Sequence, residues 1–411
     1  MTDPLLDLAN PDQDRRLAAL RALVARRQAG PRTGTNTHVH TNHSFSVFAS
    51  PSAAVWAGVE SGIEVLGIND FFTTSGCPEF AAAATIAKLP ALFCLECISM
   101  DAAAEKAGEL FNDPANPGKI YFSGKGIARF SAPVADRLLT AIRAEQERRN
   151  RRLVERLDKH FTAVLGMPGP SWDTVVGQTP HGSTTERHVA AACLQHIHDI
   201  AGAGSGLRLQ DAMAEIFTKI VGVAPVADAP AQQNQIRNQL LKSGKPCYVA
   251  EDRAAFPTIA DLRAAFLALG GIPVYPVLGN PITACEKSIP ALFDRLAAWG
   301  VYAIELIPAR NNAERVAEVL AECAKRQWPV CDGTEHNTPA MEPMTTTWGM
   351  DPRFRPQFRD GACVVLGHQE LVKSGKPGYV DAEGQLVPGG FARCLETGRA
   401  LLAAGAKSAA K

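Results

Sequence analysis

Residues 37–46, T-H-V-H-T-N-H-S-F-S, hold the strongest structural and chemical signal in this 411-residue sequence. Side chains of a β-strand alternate between its two faces, so His38 and His40 point the same way if this stretch is extended. Two imidazoles at the end of a strand can bind one metal ion. The alternative is that they are two polar side chains where a strand enters a loop. His43 lies beyond the predicted strand and is a weaker candidate ligand.

Two further predicted strands follow, separated by segments with helical spacing. Residues 63–69 are an apolar strand that leads into Asp70, and residues 91–98 are a second apolar strand that carries Glu96. Strand and helix alternate, which is the pattern of an α/β fold with a parallel sheet. The carboxyl ends of the strands are where α/β barrels carry their chemistry.

Each of these two carboxylates has a simpler interpretation. An acidic residue after a strand can cap the next helix, and this applies to Asp70 and Glu96 taken singly. Glu96, however, lies within the apolar run L-E-C-I, where a buried carboxylate needs a cation or strong hydrogen-bond donors. Two histidines and two carboxylates on three successive strands together favour a metal site.

From residue 101 to residue 240 the sequence is mainly helical. A long helix is predicted over 133–160, and its mixed charges at three- and four-residue spacing indicate a solvated face rather than a nucleic-acid contact. A later helix starts at residue 186, with Arg187 and His188 near its N-terminus. Free backbone N–H groups there can bind phosphate or carboxylate, although an ordinary Thr N-cap explains the same residues. We interpret this block as a helical insertion.

The α/β pattern then resumes. A short extended segment is predicted at 246–249, and apolar strands are predicted at 272–278, 301–307 and 329–331. Glu305 lies in the middle of the second of these strands, and Arg310 lies in the loop that follows it. The last strand leads into Asp332, Glu335 and His336. Metal-binding or acid-base groups therefore follow strand after strand, which indicates one shared site.

Composition limits the classes of function. The apolar fraction is 46%, the charged fraction is 20%, and 42 basic residues match 42 acidic ones. No global field would attract nucleic acid or an anionic membrane, so we expect neither as a partner unless a local charged patch binds it. No apolar run approaches a membrane span and the N-terminus lacks a signal peptide's pattern, so we expect a cytoplasmic protein. The ten cysteines are scattered, as reduced core thiols would be.

In its motifs and their order, the sequence resembles the PHP superfamily, named for polymerase and histidinol phosphatase, over roughly residues 35–340. The resemblance rests on H-V-H, I-N-D-F (68–71), L-E-C-I-S (95–99), E-R-H-V-A (186–190), A-I-E-L-I (303–307) and D-G-T-E-H-N (332–337). It implies a distorted (β/α)7 TIM-like barrel with an inserted helical subdomain and metal-dependent phosphoester hydrolysis. On this basis we predict five segments: a covering helix at 1–34, barrel at 35–100, helical insertion at 101–240, barrel at 241–345 and a C-terminal extension at 346–411.

The sequence also departs from the family pattern. Phe71 stands where the family has His after the Asp, Val277 stands where it has another His, and Tyr121 stands where a third is expected. Phe and Val cannot bind a metal, so a full trinuclear site is not expected. We predict fewer than three divalent ions (Zn, Mn or Fe), with the following ligands: His38, His40, Glu96 and Glu335, or His336 in place of Glu335.

Three functions follow from this reading. The first is a metal-dependent hydrolase of a small phosphorylated molecule such as a nucleotide or sugar phosphate, with His336 or Asp70 carrying protons. Its predicted substrate-binding residues are Arg187, His188, Lys125, Tyr121 and Arg310. The second is a metal-assisted lyase, isomerase or non-phosphate hydrolase that acts on a sugar acid or polyol. The third is a non-catalytic relative that binds a ligand.

Overall fold

Seven strands form a single sheet in chain order. The computed structural model describes residues 3–28, 30–179, 182–203, 209–279, 281–307 and 310–409. The strands are β1 Gly34–Val39, β2 Ile63–Phe71, β3 Ala91–Met100, β4 Lys119–Lys125, β5 Ile272–Val277, β6 Ile304–Leu306 and β7 Val330–Asp332.

The sheet curls into a nearly closed barrel. A bridge between Val39 and Glu335 brings the chain just after β7 back beside β1. β4 runs antiparallel to both neighbours, and every other neighbouring pair is parallel. The prediction of an α/β, distorted TIM-like barrel is therefore confirmed. The reversed β4 is a distortion that the sequence pattern did not predict.

Sixteen α-helices occur within the described residues. They are α1 Pro4–Asp7, α2 Gln13–Arg26, α3 Pro51–Glu60, α4 Cys77–Ala87, α5 Ala102–Ala107, α6 Pro133–Leu165, α7 Trp172–Gly177, α8 Glu186–Ala203, α9 Leu209–Val221, α10 Ala229–Ile236, α11 Ile259–Ala268, α12 Ile289–Ala298, α13 Ala313–Arg326, α14 Thr347–Met350, α15 Arg355–Lys373 and α16 Gly390–Ala409. Ser50 shows why α3 begins where it does: its side chain accepts a hydrogen bond from the backbone N–H of Ala53, and Pro51 follows it.

The chain divides into two compact units. The barrel unit comprises the chain up to Leu139, Phe256–Asn337 and the chain from Met341 onward. The helical unit comprises Thr140–Ala255 and Thr338–Ala340. The segment limits at residues 101 and 241 stay a prediction.

The helical unit has its own apolar core. Buried side chains from α6, α8 and α9 form it, including Phe161, Cys193, Ile197 and Phe217. The exposed side of α6 carries an ion pair between Arg151 and Glu147, four residues apart. Such a pair fits the predicted solvated, mixed-charge face of this helix.

The last two long helices pack against each other and against the barrel strands. A Cβ added at Gly367 of α15 would lie 1.9 Å from the carbonyl oxygen of Cys394 in α16, so only glycine permits this approach. Buried apolar residues of α15 share a core cluster with Val65 and Leu92 of β2 and β3. The sequence pattern predicted only a C-terminal extension at 346–411 and did not predict these helices.

Two local predictions differ from the structure. The single covering helix predicted within 1–34 is split into α1 and α2, because Pro11 supplies no backbone N–H and Asp12 caps the second helix. The segment 246–249, predicted to be extended, is a loop outside the sheet.

No helix in the described part of the chain is both long and apolar enough to cross a membrane. All ten cysteines are free, and nine of them are buried. Burial raises the pKa of several of these thiols, for example that of Cys247 to about 11, so they remain protonated at neutral pH.

Candidate metal centre

Three buried side chains converge inside the barrel. His38 at the end of β1, His40 just after it, and Glu96 in β3 each offer one ligand atom, and all three atoms lie within 4.8 Å of one another. The distances are 3.1 Å between the two Nε2 atoms, 3.6 Å from His38 Nε2 to Glu96 Oε2, and 3.4 Å from His40 Nε2 to the same oxygen. A tetrahedral site with bonds of about 2.05 Å has ligand-to-ligand edges of about 3.3 Å, so the spacing fits one cation.

Hydrogen bonds fix the orientation of both rings. His38 Nδ1 donates to Glu305 Oε2 at 3.0 Å, because a carboxylate oxygen can only accept. Ser44 Oγ donates to Asp70 Oδ1 at 2.6 Å, so it must accept from His40 Nδ1 at 3.0 Å. With both Nδ1 atoms protonated, the two Nε2 lone pairs face each other and the Glu96 carboxylate. Three acceptors in one buried space require a cation or a proton.

The charges of the cluster shift the pKa values of its members. Burial alone would lower the pKa of His38, but the Glu305 and Glu96 carboxylates raise it to about 9. Burial alone would raise the pKa of Glu96, but His38 and His40 lower it to about 2. In the metal-free protein His38 therefore holds the compensating proton, which a metal ion would replace.

Below this cluster lies an internal ion pair. Lys125 Nζ is 2.7 Å from Glu305 Oε1 and donates to the carbonyl oxygen of Thr37 at 2.8 Å. Both side chains are completely buried, and although burial lowers the pKa of Lys125, Glu305 raises it to about 12. Because β4 is antiparallel, Lys125 lies opposite Cys94, deeper in the barrel than Glu96. Its ammonium group is thus paired with Glu305 and hydrogen-bonded to the backbone of β1.

Asp70, predicted to carry protons, is held by donors of the loop after β1. Its Oδ1 accepts from Thr41 N at 2.7 Å and from Ser44 Oγ, and its Oδ2 accepts from Thr41 Oγ1 at 2.6 Å. It is connected to the three candidate ligands through Ser44 and His40. Phe71, the next residue, packs its ring 4.6 Å from that of His40.

Glu335 and His336 form a strained loop beside β1. Both have positive φ angles, 66° and 52°, which non-glycine residues rarely adopt. The Glu335 backbone donates to His38 O at 2.9 Å and accepts from His40 N at 2.8 Å, while its carboxylate pairs with Arg310. The His336 ring bonds to Thr334 Oγ1 at 2.6 Å and to the Glu342 carbonyl oxygen at 2.9 Å, and burial lowers its pKa.

The other predicted substrate-binding residues lie in two places. Tyr121 is in β4 opposite Ile98, and its backbone is held by the side chain of Asn112. Arg187 and His188 belong to the helical unit. His188 is buried, its Nδ1 accepts from Thr185 N at 3.0 Å, and burial lowers its pKa to about 3.

Glu305 and Ser44 did not enter the predicted set of site residues, although each orients one histidine of the cluster. Glu305 had a usable signal, since it is a lone carboxylate in an apolar strand, as Glu96 is. Ser44 had no such signal, because nothing in T-N-H-S shows that its hydroxyl lies between His40 and Asp70.

The sequence matches no family model, and no curated protein is similar enough to match it. Several solved structures are similar in fold, including the two that follow. One is a proposed metal-dependent phosphoesterase from Bifidobacterium adolescentis, with 20% identity, a TM-score of 0.53, and 77% of this chain and 92% of that chain covered. The other is an amidohydrolase from Chromobacterium violaceum, solved with sulfate and without metal, with 17% identity, a TM-score of 0.51, and coverage of 76% and 93%. At these identities the likeness establishes the fold.

Proposed function

We propose that the barrel unit is a metal-dependent hydrolase of the PHP type that acts on a small phosphorylated molecule, such as a nucleotide or sugar phosphate. The observation that carries the proposal is the spacing of the His38, His40 and Glu96 ligand atoms, which fits one cation. The similarity in fold to a proposed metal-dependent phosphoesterase supports it. A divalent cation bound there would lower the pKa of a water molecule and polarise the scissile bond.

The chain's own residues prepare this site in two ways. Glu305 and the Ser44–Asp70 pair keep the Nδ1 hydrogens on His38 and His40, which leaves both Nε2 atoms free as ligands. Lys125 balances the charge of Glu305 and anchors β1 through Thr37. We therefore assign Asp70 and Lys125 positioning roles in this proposal, in place of the predicted contacts with reactants.

Arg310 is the best-placed of the predicted anion-binding residues of the barrel unit. Its side chain is 34% exposed, and it pairs with Glu335, whose backbone is bonded to both histidine residues. A phosphate group could exchange for this carboxylate on the guanidinium. His336 remains the candidate proton carrier, which requires its bond to the Glu342 carbonyl to open.

The test is phosphate release from a panel of nucleoside and sugar phosphates, with Mn²⁺, Zn²⁺ or Fe²⁺ supplied. We expect activity that requires the cation, disappears in His38→Ala, and shows a raised KM in Arg310→Ala. Arg148→Ala is the matched control, because Arg148 is an exposed arginine of the helical unit that pairs with Glu145. Bound metal without release of phosphate from any member of the panel would contradict the proposal.

A second candidate is hydrolysis of an amide or other non-phosphate bond. The similarity in fold to an amidohydrolase favours it, as does Phe71, whose ring lies against His40 where a further ligand would be needed for a second ion. A panel of N-acylated sugars and amino acids assayed with the same variants separates the two. If His38→Ala leaves ligand affinity unchanged in every assay, the non-catalytic alternative gains support.

A further inference from the structure

Asn69 presents its carboxamide to Nε2 of His38, one of the candidate ligand atoms. It lies in β2, two residues before Phe71 and on the same face of the strand, and Phe71 is paired with Glu96. The side chain is completely buried. Its Nδ2 lies 2.9 Å from His38 Nε2 and 3.2 Å from Ser123 Oγ, whereas its Oδ1 has no hydrogen-bond partner among the residues that the structure describes.

This arrangement conflicts with a metal at His38. The cation needs the Nε2 lone pair, and the amide nitrogen that faces Nε2 has no free lone pair with which to bind the same cation. A rotation of 180° about χ2 exchanges the two ends of a carboxamide and costs little. It would bring Oδ1 to the position 2.9 Å from His38 Nε2 and 3.2 Å from Ser123 Oγ, whose hydroxyl could then donate to it.

The resulting distance also fits coordination. Ligand atoms at right angles around a cation with bonds of about 2.1 Å are about 3.0 Å apart. Asn69 Oδ1 is buried and receives no hydrogen bond from the described residues, and the amide lies 2.9 Å from His38 Nε2. Both observations indicate Asn69 as a ligand.

We propose that Asn69 is a fourth protein ligand of the metal, through Oδ1. The inference rests on the proposed function, because it assumes that His38, His40 and Glu96 hold a divalent cation. Glu335 was predicted for this place, but its carboxylate pairs with Arg310. A neutral amide oxygen beside one carboxylate and two imidazoles gives a mixed N/O set, which suits Mn²⁺ better than a third imidazole would.

The test compares Mn²⁺ dissociation constants of three variants with that of the wild type. Asn69→Leu removes the oxygen, and we expect at least tenfold weaker binding. Asn69→Asp presents an oxygen in either rotamer, and we expect binding at least as tight as in the wild type. Ser123→Ala removes a hydroxyl that lies beside the amide and makes a long contact of 3.5 Å with Glu305 Oε2, and we expect a change of less than threefold. Thermal unfolding in EDTA separates loss of metal affinity from loss of the fold.

A crystal structure of the wild type grown with Mn²⁺ keeps the inference testable if a variant does not fold. We expect the anomalous peak within bonding distance of Asn69 Oδ1. Binding by Asn69→Leu within threefold of the wild type, or an ion with no Asn69 atom in its coordination shell, would overturn this inference alone. A wild type that binds neither Mn²⁺ nor Zn²⁺ would overturn the proposed function with it.

Discussion

The chain contains two H-x-H pairs, and their side chains make different contacts in the structure. His38 and His40 lie at the end of a strand, and their Nε2 atoms are 3.1 Å apart beside Glu96. His196 and His198 lie in α8, where positions two apart are about 200° around the helix. His196 bonds to the Pro168 carbonyl oxygen and packs on Phe161, while His198 is exposed.

The two regions also differ in the side chains that surround a largely buried carboxylate. Glu96 faces the imidazoles of His38 and His40, which can lose a proton to solvent when a metal binds. Glu186, at the start of α8, faces the cationic side chains of Lys242, Arg237 and Arg149. Burial alone would raise the pKa of Glu186, but these cations lower it to about 2. The comparison indicates that a metal centre needs both the two-residue period of a strand and partners that can lose a proton.

The largest expected effect concerns Lys125, the lysine that is buried inside the barrel beside Glu305. Lys125→Met leaves Glu305 buried with His38 as its remaining charged partner, so we expect a loss of about 3–5 kcal/mol in the free energy of unfolding. Urea unfolding in EDTA measures it. Lys242→Met, which removes a half-exposed cation from Glu186, is the control and should cost below about 1 kcal/mol. Equal losses in the two variants would contradict the assignment of Lys125 as an internal countercharge.

Exchanging each carboxylate for its amide tests which of the two regions holds metal. We expect Glu96→Gln to weaken metal binding by roughly a hundredfold, because a charged ligand is lost. Glu186→Gln should leave metal affinity unchanged and lower stability by roughly 2 kcal/mol, because its cations lose a charged acceptor. Isothermal titration with Zn²⁺ and thermal unfolding measure the two effects. Unchanged affinity in Glu96→Gln would remove Glu96 from the ligand set.

The two regions should lose stability in opposite pH windows when metal is absent. The folded pKa of His38 is raised from 6.5 to about 9, so its contribution is complete below pH 6.5 and is lost as the pH rises through 9. The lowered pKa of Glu186 gives a contribution that is complete above pH 4.5 and is lost as the pH falls through 2. Between pH 6.5 and 8.5 we expect the wild type to lose roughly 2 kcal/mol more than His38→Gln. Parallel pH profiles of the two proteins in EDTA would rule this out.

The smallest effect concerns the hydroxyl that orients His40. Ser44→Ala removes the acceptor for His40 Nδ1 and a donor to Asp70, and we expect about tenfold weaker metal binding with little loss of stability. Ser171→Ala, which removes a helix cap in the helical unit, is a matched control that should not change metal affinity. If Ser44→Ala binds metal as tightly as the wild type, the orientation of the His40 ring does not depend on the Ser44 hydroxyl.

Much of the barrel could be read from the sequence, because apolar runs alternate with helical spacing and the strand and helix periods are local. The H-V-H spacing likewise indicated that His38 and His40 share a face. The reversed direction of β4 could not be predicted from the sequence, because strand direction depends on non-local pairing. The depth at which Lys125 lies in the barrel follows from that direction, so it could not be predicted either. The C-terminal helices were missed because glycines that permit close packing resemble glycines of loops.

The most direct test of the central claim is the metal content of purified protein after exposure to Mn²⁺ and Zn²⁺ and dialysis. Wild type is compared with His38→Ala/His40→Ala and with the matched pair His196→Ala/His198→Ala. We predict about one equivalent of metal in the wild type and in His196→Ala/His198→Ala, and none in His38→Ala/His40→Ala. Equal metal content in all three proteins, or no metal in the wild type, would contradict the account.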